Sequence, residues 1–156
     1  MIEHECRPAS SEDVAYIAAN MRSADIAEVQ AATGREPEEA LLDGLVASRC
    51  PLTFAPQGIP AAIFGVCQDP RNTYIGAPWL LATDEFPKHL RQIATFGPAL
   101  LCALSWDFDY LQNYVDARNT IHIAWIKRLG FNLTRTVPEF GAEKRPFIHF
   151  ERFTNV

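Results

Sequence analysis

A short β-rich stretch, Tyr110 to Asp116, runs through Ala117-Arg118-Asn119 into an amphipathic segment from Thr120 to Leu129 that stops at Gly130. This unit constrains the fold more than any other part of the chain. Asn119 is a strong N-cap residue, so a helix is predicted from Thr120. Gly130 supplies the left-handed residue on which such a helix ends, and Phe131 follows as a core plug. The strand and the helix must therefore pack on one sheet.

The rest of the chain supplies the other layers. Ile2 to Ala9 alternates and reads as a first strand. Helices are predicted from Ser10-Ser11-Glu12-Asp13, over Ala24 to Ala32 with an end near Gly34, and from Glu36-Pro37, the last with Leu41, Leu42, Leu45 and Val46 as its buried stripe. Leu52–Ala55 and Ala61–Cys67 around Gln57-Gly58 form a hairpin, and Trp79–Thr83 is a fourth strand. A long helix spans Phe86 to Leu104, with a break or kink expected at Gly97-Pro98. Two further strands lie around Leu133–Val137 and Pro146–Phe153, with a turn near Gly141. This order predicts a single α/β domain over residues 1–156, with a mixed, mostly antiparallel sheet flanked by helices.

The net charge of -5 is unevenly distributed, at -8 over residues 1–115 and +3 over residues 116–156. An acidic chain is a poor non-specific nucleic-acid ligand, because phosphate binding rests on Lys and Arg. The longest nearly apolar run, Pro98 to Trp106, is far short of the ~20 residues that cross a bilayer. The N-terminal residues do not read as a signal peptide, which gives a cytosolic expectation. Cys6, Cys50, Cys67 and Cys102 are scattered, as are the four histidines, so no metal site is expected.

The stretch Val115-Asp116-Ala117-Arg118-Asn119, with Lys127-Arg128-Leu129-Gly130-Phe131 at the end of its helix, resembles the Gcn5-related N-acetyltransferase fold. The resemblance implies that the fourth and fifth strands diverge to make a central cleft, and that acetyl-CoA or CoA is the ligand. It places Asn119 beside the pantetheine arm. Two features depart from that pattern. The segment Asp84 to Arg91 contains no glycine, where a diphosphate needs backbone N–H groups within close reach. Seven residues after Asn119, where many members carry an acidic Tyr, stands Ile126, which has no proton to give.

Met21-Arg22-x-x-Asp25-x-x-Glu28, Pro78 to Asp84, and Asn113-x-Val115-Asp116-Ala117-Arg118-Asn119 are also similar to the internal virion protein A family of short-tailed bacteriophages. That likeness implies a virion or assembly protein, acting in the host cytoplasm or the virion with other phage virion proteins as partners. It is joined to an acyltransferase-like fold with a degraded cofactor loop. The alternative is a CoA-dependent N-acetyltransferase acting on an amine of a small molecule or protein.

Expected site residues follow. A ligand arm is expected on the unpaired backbone of Leu81, Ala82 and Thr83, with Asn119 orienting it and Lys88 or Arg91 supplying positive charge. Tyr110 and Tyr114 are candidate acids, and Asp84 is either a general base or a helix cap. Arg22 and Trp79 are candidate substrate contacts. Arg22, Asp25 and Glu28 also fit a surface ion-pair row, and Trp79 and Trp125 also fit core packing. His122 is expected to be a partly buried bystander.

Overall fold

The computed structural model describes residues 5–154. Its elements are β1 (Cys6–Pro8), α1 (Ser11–Ala19), α2 (Ser23–Thr33), α3 (Pro37–Ala47), β2 (Leu52–Phe54), β3 (Ala62–Asp69), β4 (Asn72–Ala82), α4 (Leu90–Leu104), β5 (Tyr110–Asp116), α5 (Thr120–Arg128), β6 (Asn132–Phe140) and β7 (Arg145–Phe153). They form one seven-stranded sheet in the order β1-β2-β3-β4-β5-β7-β6. Every neighbouring pair is antiparallel except β4 and β5, which are parallel. The mixed, mostly antiparallel sheet is the one expected. Residues 2–4 of the expected first strand lie outside the described residues.

Local chemistry sets the helix ends. Ser10 caps α1 through a capping box with Asp13, and Glu36 and Glu39 do the same for α3. Gly34 ends α2 in the left-handed conformation, at φ 70°. The expected break at Gly97-Pro98 does not occur, and α4 runs through Pro98 without interruption. Pro98 lies on the exposed side, where water can serve the Ala94 carbonyl that loses its usual donor. Gly97 lies on the buried side, and a Cβ there would approach Trp125 to 2.4 Å. The Gly97–Trp125 contact is where α4 and α5 meet.

The two sheet faces carry different layers. One carries α4 and α5 over Phe54, Phe86, Ile93, Leu101, Val115 and Phe150. The other carries α1 and α3 over Ile17, Leu41, Ile63, Trp79 and Leu81. The helices after the fourth and fifth strands thus share one face.

The sheet is open at its centre. β4 and β5 are in register only at Ile75–Tyr110 and Gly76–Leu111. Beyond that point the amide of Asn113 donates to the Pro78 carbonyl at 2.9 Å. Farther on, no backbone pair joins them, and the strands diverge as expected of the fourth and fifth strands.

Candidate active site

Helix α2 lies across the open end of the gap, and its i, i+3 spacing places Arg22, Asp25 and Glu28 along one side. They are not a surface row. Arg22 and Asp25 are 5% and 0% exposed. Arg22 Nη1 donates to Asp25 Oδ1 at 3.1 Å. Asp25 Oδ2 accepts the Ala82 N–H at 2.9 Å, and the Arg22 N–H donates to the Ala82 carbonyl at 2.9 Å. Met21 bridges Thr83 in antiparallel fashion. The junction of α1 and α2 therefore closes the end of β4 as a short substitute strand.

Asn119 joins this cluster to β5 and α5. Its Nδ2 donates to Asp25 Oδ1 at 3.1 Å and to Glu28 Oε2 at 2.8 Å, while its Oδ1 accepts the His122 N–H. Asn119 is thus the expected helix cap, and its amide faces two carboxylates. His122, expected to be partly buried, is fully buried, and its Nε2 has no hydrogen-bond partner among the described residues and lies 3.6 Å from Asp25 Oδ1. Loss of solvent holds the imidazole below its ordinary range, more strongly than Asp25 raises it.

Along β4 alternate residues turn their backbone groups toward β5. Pro78 meets Asn113 and Ala82 meets Asp25 and Arg22. Leu80, between them, has the same orientation and faces the gap with no partner among the described residues. The expected unpaired backbone at Leu81–Thr83 is corrected accordingly. Both polar groups of Ala82 are in use, the Thr83 N–H donates to Ala61, and Leu81 faces β3 opposite Ile63.

A cavity of about 440 Å³ fills the gap and reaches both sheet faces. That volume lies in the range of small-molecule sites. On the α4–α5 side its walls include Phe86, Phe96, Gly97, Trp125 and Ile126. On the other side they include Glu28, Ala40, Gly44, Trp79, Tyr114 and Phe140. Glu28 is the only carboxylate residue in this lining. Desolvation pushes its carboxyl up to about 8, with Asp25 and Asp116 adding repulsion and the Asn119 amide opposing the rise. An acid that titrates near neutrality inside a cavity suits proton transfer.

The other expected residues lie around this centre. Tyr114 lines the cavity beside Phe140, with ring centroids 4.6 Å apart, and Arg135 donates to its hydroxyl at 3.3 Å. Tyr110 lies at the paired end of β5, donates to Glu151 and is pushed up to about 12, chiefly by burial. Trp79 lines the cavity, donates Nε1 to Ser48 Oγ at 2.8 Å and lies against Gly44, where a Cβ would come within 2.7 Å. Asp84 is exposed, and neither the short 3-10 turn Phe86–His89 nor α4 has a side-chain cap. Lys88 donates to Glu85 at 2.7 Å, and His89 lies 3.2 Å from the same carboxylate. Of the two cations expected to meet a phosphate, Lys88 is thus paired with Glu85. Among the described residues no cluster of His, Cys, Asp and Glu could hold a metal ion, and the four cysteines are free. No helix among them is long and apolar enough to cross a membrane.

Glu28 is the residue that sequence reasoning did not single out. Its place three positions after Asp25 was visible, but its enclosure depends on Asn119, 91 positions away.

The fold is that of the Gcn5-related N-acetyltransferases. The chain is similar over 97% of its length to 95% of an acetyltransferase of that family from Bacillus anthracis, with a TM-score of 0.70 at 9% identity. It is similar over 97% to 97% of Ard1 from Thermoplasma volcanium, with a TM-score of 0.66 at 16% identity. It also matches over 95% of its length 93% of the aminoglycoside acetyltransferase AAC(6')-Ib in complex with coenzyme A and kanamycin, with a TM-score of 0.66 at 16% identity. No family model and no curated protein matches the sequence.

Proposed function

We propose that the chain is an N-acyltransferase that takes its acyl group from a pantetheine thioester, acetyl-CoA being the first donor to test. The observation that carries this reading is the cavity through the β4–β5 gap, with Glu28 inside it. An acyl thioester bound there would supply an activated acyl group and carry away a thiol. The unpaired backbone of Leu80 suits an amide-bearing arm lying along β4 as an added strand. The walls from α4 and α5 exclude water from that arm. Glu28 takes the proton that an amine loses on acylation, and it can do so only when ionised. Tyr114, which lines the cavity, is the candidate to hold a proton for the departing sulfur.

The nucleotide end of CoA fits less well. The segment after β4 has no glycine, and the carboxylates of Asp84 and Glu85 stand where a diphosphate would approach. The fit is therefore to the thioester and its arm. The virion-assembly role implied by the sequence resemblance has less behind it, because the structures described above are acetyltransferases. Coenzyme A accompanies one of them.

The test is thermal unfolding with acetyl-CoA, together with release of free thiol in the presence of a primary amine. A donor at 100 times its Kd stabilises by about 2.7 kcal/mol, which raises Tm by several degrees. Absence of both the shift and the thiol release would reject the proposal.

A further inference from the structure

On the α2–α3 side the cavity ends in a chamber with aromatic walls. Tyr114 packs on Phe140 and Phe140 on Phe147, each pair with centroids 4.6 Å apart. Trp79 lies on the same side, locked by Ser48 and Gly44. Ala32 and Ala40 leave room between them. Glu28 is the only carboxylate in the lining. The nearby cations include Arg22, paired with Asp25, Arg118, held by Asp116 and close enough to Glu28 to interact with it, and Arg135, on the Tyr114 hydroxyl. Arg145 is tied to Glu143 and also acts on Asp116.

We infer that this chamber selects a primary amine carried on a flat apolar body, an arylalkylamine. One carboxylate matches one ammonium. A ring stacks on the Tyr114–Phe140–Phe147 wall, where aromatic contacts and buried area both add affinity. A polycation such as an aminoglycoside would leave its other charges desolvated against apolar walls and near Arg118 and Arg135. The inference deepens the transferase reading by naming its acceptor, and amine binding can be measured without any donor.

The test is isothermal titration of the full chain at pH 8.5 with 2-phenylethylamine, kanamycin and spermidine. The arylalkylamine is expected to bind at least about tenfold more tightly than either polycation. Phe140→Leu and Trp79→Leu, checked for folding by circular dichroism, should each reduce that preference severalfold. Equal or tighter binding of kanamycin or spermidine overturns the inference. So does a preference unchanged in both variants, or no amine binding at all. Thiol release from acetyl-CoA separates the two proposals. Turnover with kanamycin but not with phenylethylamine keeps the transferase and rejects the acceptor class. Selective amine binding with no use of the donor keeps the chamber and rejects the transferase.

Discussion

Asn119 donates its side-chain amide to Asp25, 94 positions earlier in the chain, at 3.1 Å. The bond connects the start of α5 to the helix that covers the sheet gap. The same amide reaches Glu28, and Asp25 in turn holds the Ala82 N–H. One asparagine therefore links both lips of the gap.

Asn119→Ala should destabilise the protein by about 2–4 kcal/mol, more than the ~1 kcal/mol of a lost cap alone, because buried Asp25 and part-buried Glu28 both lose a donor. Urea unfolding measures this. A loss near 1 kcal/mol would show that the amide acts only as a cap.

Glu28 has a folded-state value of about 8 against an ordinary 4.5. The folded protein therefore binds this proton more tightly than the unfolded chain, and the Glu28 contribution to stability falls as pH rises from about 4.5 to about 8, against the rise that the depressed His122 and His149 contribute. Glu28→Gln should remove that falling contribution from the stability–pH curve. If Glu28 is the base, the variant also loses acyl transfer, and the wild-type rate rises with pH through about 8. Wild-type and Glu28→Gln curves of equal slope from about pH 5 to 8 contradict the assignment.

Asp13 is buried and accepts a bidentate pair from Arg7 at 2.6 and 2.7 Å and a bond from Thr53 at 2.9 Å. Burial alone would raise its pKa, but these donors outweigh it and hold the carboxyl below its ordinary range. The stabilisation is present above the unfolded value of 3.8 and is lost as pH falls through the lower folded value. Asp13→Asn should cost about 2 kcal/mol at neutral pH and little in strong acid. Unfolding titrations at pH 7 and pH 2.5 compare the two.

Gly97→Ala places a methyl group 2.4 Å from the Trp125 ring. Overpacking of about 1–3 kcal/mol exceeds the gain of up to about 1 kcal/mol from better helix propensity. A net loss is expected, and Trp125→Leu in the same chain should remove most of the added cost of the alanine. A neutral or stabilising Gly97→Ala would mean that α4 and α5 are not in close contact at this point.

The alternation of strands and helices was legible because it is local. Asn119, Gly130 and the capping boxes at Ser10 and Glu36 each act within a few residues of their position. The first half of β4 was not, since Gly76 and Pro78 interrupt the β pattern and are tolerated only because one packs under Leu111 and the other turns its carbonyl to Asn113. Pro98 does not break α4, because its exposure leaves the lost hydrogen bond to water. The divergence of the central strands was foreseen from resemblance. The covering of Ala82 by Asp25 and Arg22 was not, because an i, i+3 row of charges looks the same in sequence whether it faces water or a sheet.

The turn between β6 and β7 is anchored by Ala142 and Glu143, whose N–H groups donate to the Ala32 and Ala31 carbonyls at the end of α2. Gly141, at φ 69°, has no room for a side chain, since a Cβ would approach the Ala31 carbonyl to 2.4 Å. The helix that bears Glu28 is thus fastened at its first turn to β4 and at its last to a hairpin. On the transferase reading, an amine entering the chamber would meet a helix already pinned at both ends and would order little of it on arrival. Little of that association would be lost to induced fit, and an amine too long or too branched for the chamber would be turned away by bulk.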